Sequence, residues 1–70
     1  MRILDDLTEA LAKEVFEIEK SQNNLDLAVQ VASSLGDSST TMQEAFQGAM
    51  RYLRCDDRAR EIIAKARAGQ

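Results

Sequence analysis

A small all-helical domain is what these 70 residues predict, and three observations carry that reading. The chain has no proline and three glycines, so nothing forces a break and little supports tight turns. Its hydrophobic fraction of 44% includes two Phe, one Tyr and no Trp, which leaves mainly aliphatic and alanine packing and favours helices. Apolar residues also recur at helical spacing along most of the chain.

One stripe justifies the first helix. At 100° per residue, Leu4, Leu7, Leu11, Val15, Ile18, Leu25 and Val29 fall within about 80° of one another, interrupted only by Gln22. A helix is expected over residues 3–35, or two shorter ones if the polar stretch at 21–24 breaks it. The following run, SLGDSSTTMQEAF, supplies a stop and a start. Gly36 suits the left-handed position after a helix ending near Leu35, and the cluster from Ser38 to Thr41 offers N-caps. Thr41 with Glu44, or Thr40 with Gln43, has the spacing of a capping box.

The second helical region is expected over residues 40–68, ended by Gly69. Its apolar residues form two sets. Met42, Ala45, Phe46, Ala49, Tyr52 and Leu53 centre on one direction, and Cys55, Ala59, Ile62, Ile63 and Ala66 on another roughly 100° away. The phase changes at Asp56 and Asp57. Either one of them caps a new helix near 55–57, or the helix continues and Asp56 joins a polar layer. Ala45, Gly48 and Ala49 form a patch of small residues where another backbone can come close.

Folded at residues 36–38 as an antiparallel hairpin, the chain brings residue 19 opposite residue 55, so that EKSQNN faces RCDDR. Charge suits the pairing: Asp5 to Glu19 holds six acids and one lysine, and Arg51 to Arg67 holds six bases and three acids. Exposed pairs contribute only about 0–1 kcal/mol each, so this charge pattern informs register more than stability.

A chain of this length rarely gains more than roughly 3–5 kcal/mol from its own core. One cysteine and no histidine leave neither an internal disulfide nor a Cys/His zinc site to reinforce it, so association is the remaining device. Phe16, Leu27 and Val31 lie opposite the main stripe and are the expected dimer or partner surface. The expected architecture is thus a single domain over 1–70, an all-α antiparallel helical hairpin that dimerises into a four-helix bundle. The alternative is a compact monomeric bundle of three or four shorter helices.

Function is read largely by exclusion. Cys55 has arginines nearby but no histidine in the chain to serve as its base, so a packing role is expected. Asp56, Asp57 and Glu61 lack the convergent spacing of a Ca or Mg loop, and no cofactor or metal is expected. Arg51, Arg54, Arg58 and Lys65 fall within about 60° and form a basic face at helical spacing. The net charge of −3 weakens a nucleic-acid reading, because phosphate contacts need concentrated positive charge.

The expected function is therefore a non-enzymatic helical protein–protein interaction module, such as an adaptor, small chaperone or regulatory subunit, acting with itself as a homodimer and with another protein. The alternative is a dimeric regulator that binds RNA or DNA through the basic face. Neither a signal peptide nor a membrane span is expected, and the expected location is cytoplasmic.

Overall fold

Three helices follow one another in the computed structural model, which describes residues 2–24 and 26–69: α1 (Arg2–Gln22), α2 (Leu27–Ser38) and α3 (Thr40–Ala68). The expectation of an all-helical chain is met. The first arm is broken at the polar stretch named as its weak point, and the second runs unbroken through 55–57.

The first break is made by asparagine. Asn23 takes φ of 55°, and its N–H donates to Glu19 O at 2.8 Å, so it occupies the left-handed position that ends a helix. Asparagine reaches that region more easily than other residues with a Cβ. Asp26 then precedes α2 as N-cap without a side-chain cap bond, and its carbonyl receives Gln30 N at 3.0 Å. Leu25, which the sequence stripe includes, lies outside the described residues.

The second turn is tighter than the sequence suggests. α2 continues through Gly36 to Ser38, and Gly36 is not left-handed. Ser39 alone separates α2 from α3, extended at φ −158° and ψ 109°. It serves both helices. Its N–H donates to Leu35 O at 2.7 Å, and its Oγ accepts from Met42 N at 3.1 Å. The cap thus comes from the expected serine and threonine cluster, but neither predicted capping box forms. Gln43 turns away, and its Nε2 donates to Ala32 O at 3.0 Å. Gly36 makes that possible, because a Cβ there would meet Gln43 Nε2 at 2.5 Å.

Directions follow from the contacts. Asp5, Thr8 and Lys13 border a groove with Ala45, Gly48 and Leu53, and farther along Glu19 and Lys20 meet Arg54 and Asp57. Residue numbers rise together, so α1 and α3 are parallel. α2 runs antiparallel to α3, and it touches α1 least. The chain goes up, down and up, and the expected pairing of two long antiparallel arms gives way to three helices with α3 as their common support.

Ala12, Val15, Ala28, Ala32, Phe46 and Met50 form the core, bordered by partly buried Leu11, Leu35 and Leu53. Phe46 is only 1% exposed. Thr8 is buried as well, its Oγ1 satisfied by Leu4 O at 2.8 Å. The buried side of α1 therefore runs through Thr8, Ala12, Val15 and Glu19, rotated roughly 80° from the predicted stripe. Small residues let α1 lie close to α3, and the larger ones are carried sideways, leaving Ile3, Leu7 and Ile18 exposed.

The radius of gyration is 14.0 Å, against about 11 Å for a compact chain of this size. α3 causes the difference. Its final contact with α1 is at Asp57, and from Arg58 to Ala68 every residue is exposed, about 16 Å of helix standing clear at 1.5 Å per residue. The overhang extends a helix already nucleated, so each residue adds only a propagation step. Arg60 Nε to Asp56 Oδ2 at 2.8 Å and basic residues in the last turn support it further.

Two substitutions test this description. Phe46→Ala is expected to cost about 3–5 kcal/mol, comparable to all the stability such a chain has, and circular dichroism of the isolated chain should show a largely unfolded protein. Asn23→Val should lower stability by about 1–2 kcal/mol in chemical denaturation while Asn23→Gly does not; equal losses would contradict the left-handed turn.

Candidate functional site

Two surfaces and one polar contact concentrate the chemistry of the chain. The polar contact joins the end of α1 to the middle of α3. Arg54 Nη2 donates to Glu19 Oε1 at 2.7 Å, and the Glu19 side chain is only 8% exposed. One turn on, Lys20 Nζ donates to Asp57 Oδ1 at 2.6 Å and sits 5.7 Å from the Phe16 ring centroid. EKSQNN and RCDDR therefore meet through Glu19 and Lys20, as the register argument expects, although the helices run in the same direction. The acids nearer the start of α1 do not reach the bases of the α3 overhang, which lies beyond the far end of α1.

Asp57 supplies the polar layer rather than a cap, and Asp56 points instead to Arg60 within α3. The Asp57 hydrogen bond, followed by its charge, raises the Lys20 pKa above the ordinary lysine value. A raised value means that the pair's contribution is complete below the ordinary lysine pKa and is lost as pH rises through the folded one. Asp56 raises the Arg60 pKa in the same way, first by hydrogen bond and then by charge.

The predicted basic face is divided by this contact. Arg54 is turned to Glu19, while Arg51, Arg58 and Lys65 remain exposed. Arg51, Arg54 and Arg58 stand at one end of an open groove between α2 and α3, with Phe46 and Met50 deeper in it and Val29 exposed at its rim. Cys55, expected to pack, is exposed beside it.

Phe16, Leu27 and Val31 are half-buried against the core. Most of their apolar surface is therefore engaged within the chain. The large exposed hydrophobic residues lie elsewhere, on α1 at Ile3, Leu7 and Ile18, on α2 at Val29, and on α3 at Tyr52, Ile62 and Ile63. For Ile62 and Ile63 the signal was present in the sequence as the offset between the two apolar sets of α3, but that offset does not say which set faces inward, and Tyr52 is exposed although it belongs to the set that holds Phe46. Of the small-residue patch, Ala45 and Ala49 are half-buried beside α1, whereas a Cβ at Gly48 would meet nothing within 4 Å.

No helix among the described residues is long and apolar enough to cross a membrane. Comparison with protein-family models, with curated proteins and with solved structures finds no match to this chain.

Arg54→Ala leaves a nearly buried carboxylate without its donor and is expected to cost about 1–2 kcal/mol in urea unfolding. Lys20→Ala removes a pair whose lysine is half-exposed and should cost less. The reverse order would mean that Glu19 is held by something other than Arg54.

Proposed function

We propose that this chain is a non-enzymatic helical protein–protein interaction module, an adaptor, small chaperone or regulatory subunit, that docks an amphipathic helix of a partner along the open side of α1. One observation carries the reading: α1 packs on α3 through its small residues and leaves Ile3, Leu7 and Ile18 in solvent. With the half-buried Leu4 and Leu11, they make an apolar tract along one side of the helix. Asp6, Glu14 and Glu17 border this tract, so the partner helix is basic at its margins.

The chain works with itself as well as with a partner. A homodimer of three-helix chains contains six helices rather than the four expected of paired hairpins. A binding role is also favoured by what the residues are engaged in: Arg54 is held by Glu19, and Cys55 has no histidine anywhere in the chain to activate it.

The test is affinity capture by the immobilised full chain from its native host, with crosslinking to map the contact, repeated with Leu7→Glu and Ile18→Glu combined. Both positions are exposed, so the fold is expected to survive. A partner held by the wild type through α1 and lost from the double variant is the expected result. Capture that ignores the double substitution, or no capture, would overturn the reading. Salt-sensitive retention of RNA or DNA that falls in Arg51→Ala with Arg58→Ala would favour the nucleic-acid alternative instead.

A further inference from the structure

α3 buries its large side chains against its two neighbours on one side. Phe46, Met50, Leu53 and Asp57 face α1 and α2, and at 100° per residue their common direction lies roughly 160° from a second arc formed by Gly48, Tyr52, Cys55, Ala59, Ile62 and Ala66. Tyr52 is 76% and Ile62 66% exposed, and Cys55, Ala59 and Ala66 are exposed too. From Ala45 onward the spacing alternates three and four residues through Ala66. That is a heptad repeat with an apolar or small residue at every a and d position, and it is matched by another helix with the same repeat.

Gly48 fits the same picture. It sits inside α3 with open space where its Cβ would be, and it gives up about 1 kcal/mol of helix propensity relative to alanine. Nothing within the chain requires it. At a d position of the repeat it lets a second backbone approach at the short end of the usual 8–10 Å interaxial range.

We infer that a second copy of this chain occupies this face, α3 against α3, parallel and in register. The flanking charges select both the occupant and its direction. Glu44, Arg51, Arg58 and Lys65 hold the g positions, and Ala49, Asp56 and Ile63 the e positions. In a parallel pair each g residue faces the e residue five places later in the other copy, so Arg51 meets Asp56 twice by symmetry and Arg58 lies over Ile63. In an antiparallel pair g faces g and e faces e. Arg58 would then meet Arg58, Arg51 would meet Lys65, and Asp56 would meet Asp56. Like charges on both flanks disfavour that arrangement. Ala59, Ile62 and Ala66 are exposed, and α1 meets the face only at its edge, across the groove that Asp5, Thr8 and Lys13 share with Gly48 and Tyr52.

This deepens the reading of the chain as an interaction module by naming one partner, and it uses a surface separate from the α1 tract. It also places Cys55, a d residue, across the symmetry axis from its counterpart. An added oxidant such as diamide would take two electrons, and two protons, from the two thiols and leave one S–S bond, which requires the Cβ atoms to approach to about 4 Å.

The test combines sedimentation of the full chain over a micromolar concentration series with diamide crosslinking. A dimer that links through Cys55 is expected. Ala59→Lys should keep its helical circular dichroism, sediment as a monomer and lose at least tenfold in crosslinking rate. Cys55→Ser combined with Arg58→Cys should fail to crosslink, because in the parallel pair residue 58 faces 63. A wild-type monomer throughout the series overturns the pairing and leaves the α1 docking reading to its own test. A dimer that links through position 58 but not 55 overturns the parallel direction.

Discussion

Two large side chains of α3 set the terms on which everything else packs. Phe46 and Met50 are almost fully enclosed, and the residues buried with them are small or medium-sized, Ala12 and Val15 from α1 and Ala28 and Ala32 from α2, with larger ones such as Leu11 and Leu35 only partly buried around them. A bulky knob against a small-residue surface demands close helices. α1 and α2 must therefore present their smallest faces to α3, and their larger apolar residues are displaced to the margins. Half-buried Leu11, Leu27 and Val31 and exposed Ile3, Leu7 and Val29 follow from that one requirement.

The same requirement explains which features could be read from the chain and which could not. Helix content was legible because propensity and periodicity act locally, and the polar stretch at 21–24 announced its break through a pair of asparagines. The capping cluster was legible as a cluster, but the choice of Ser39 depended on Gln43 being drawn to Ala32 O across the turn, a tertiary contact with no local signature. Gly36 looked like a helix stop and proved to be clearance for that same glutamine. Asp56 and Asp57 left a helix start and a continuous helix both open, and α3 passes through them with both side chains meeting cations. The apolar stripe of α1 is a true periodic pattern, yet apart from Val15 it does not face the core, since a helical wheel weighs hydrophobicity and the core selects for size. For the same reason Phe16, Leu27 and Val31, which lie opposite that stripe, are half-buried against the core.

Electrostatics here fixes position more than it adds strength. Of the acids along α1, Glu19 reaches an arginine of α3 and does so from a nearly buried site, where an unpartnered carboxylate would be costly. The contact therefore specifies how far along α3 the end of α1 may lie. The remaining acids of α1 and the bases of the α3 overhang are left at opposite ends of an elongated molecule 49 Å in its longest dimension. Each end presents apolar residues edged mainly by one sign of charge, acidic along α1 and basic along the overhang. An interaction module needs such distinctions, because charge at the margin of a hydrophobic contact governs which partners are rejected.

The single residue between α2 and α3 has a consequence for how the molecule assembles in time. The contacts that close this turn join residues about a dozen positions apart or fewer, such as Ala32 and Gln43, whereas those that seat α1 span 35 and 37 positions. Loop closure costs less over the shorter span, and local contacts form early. α2 and the first half of α3 are thus the part of the chain whose closure costs least in entropy, and α1 is the part whose seating costs most. The helix seated by the long-range contacts is the one that carries the exposed leucine and isoleucines, and its release would lay Phe46 and Met50 open.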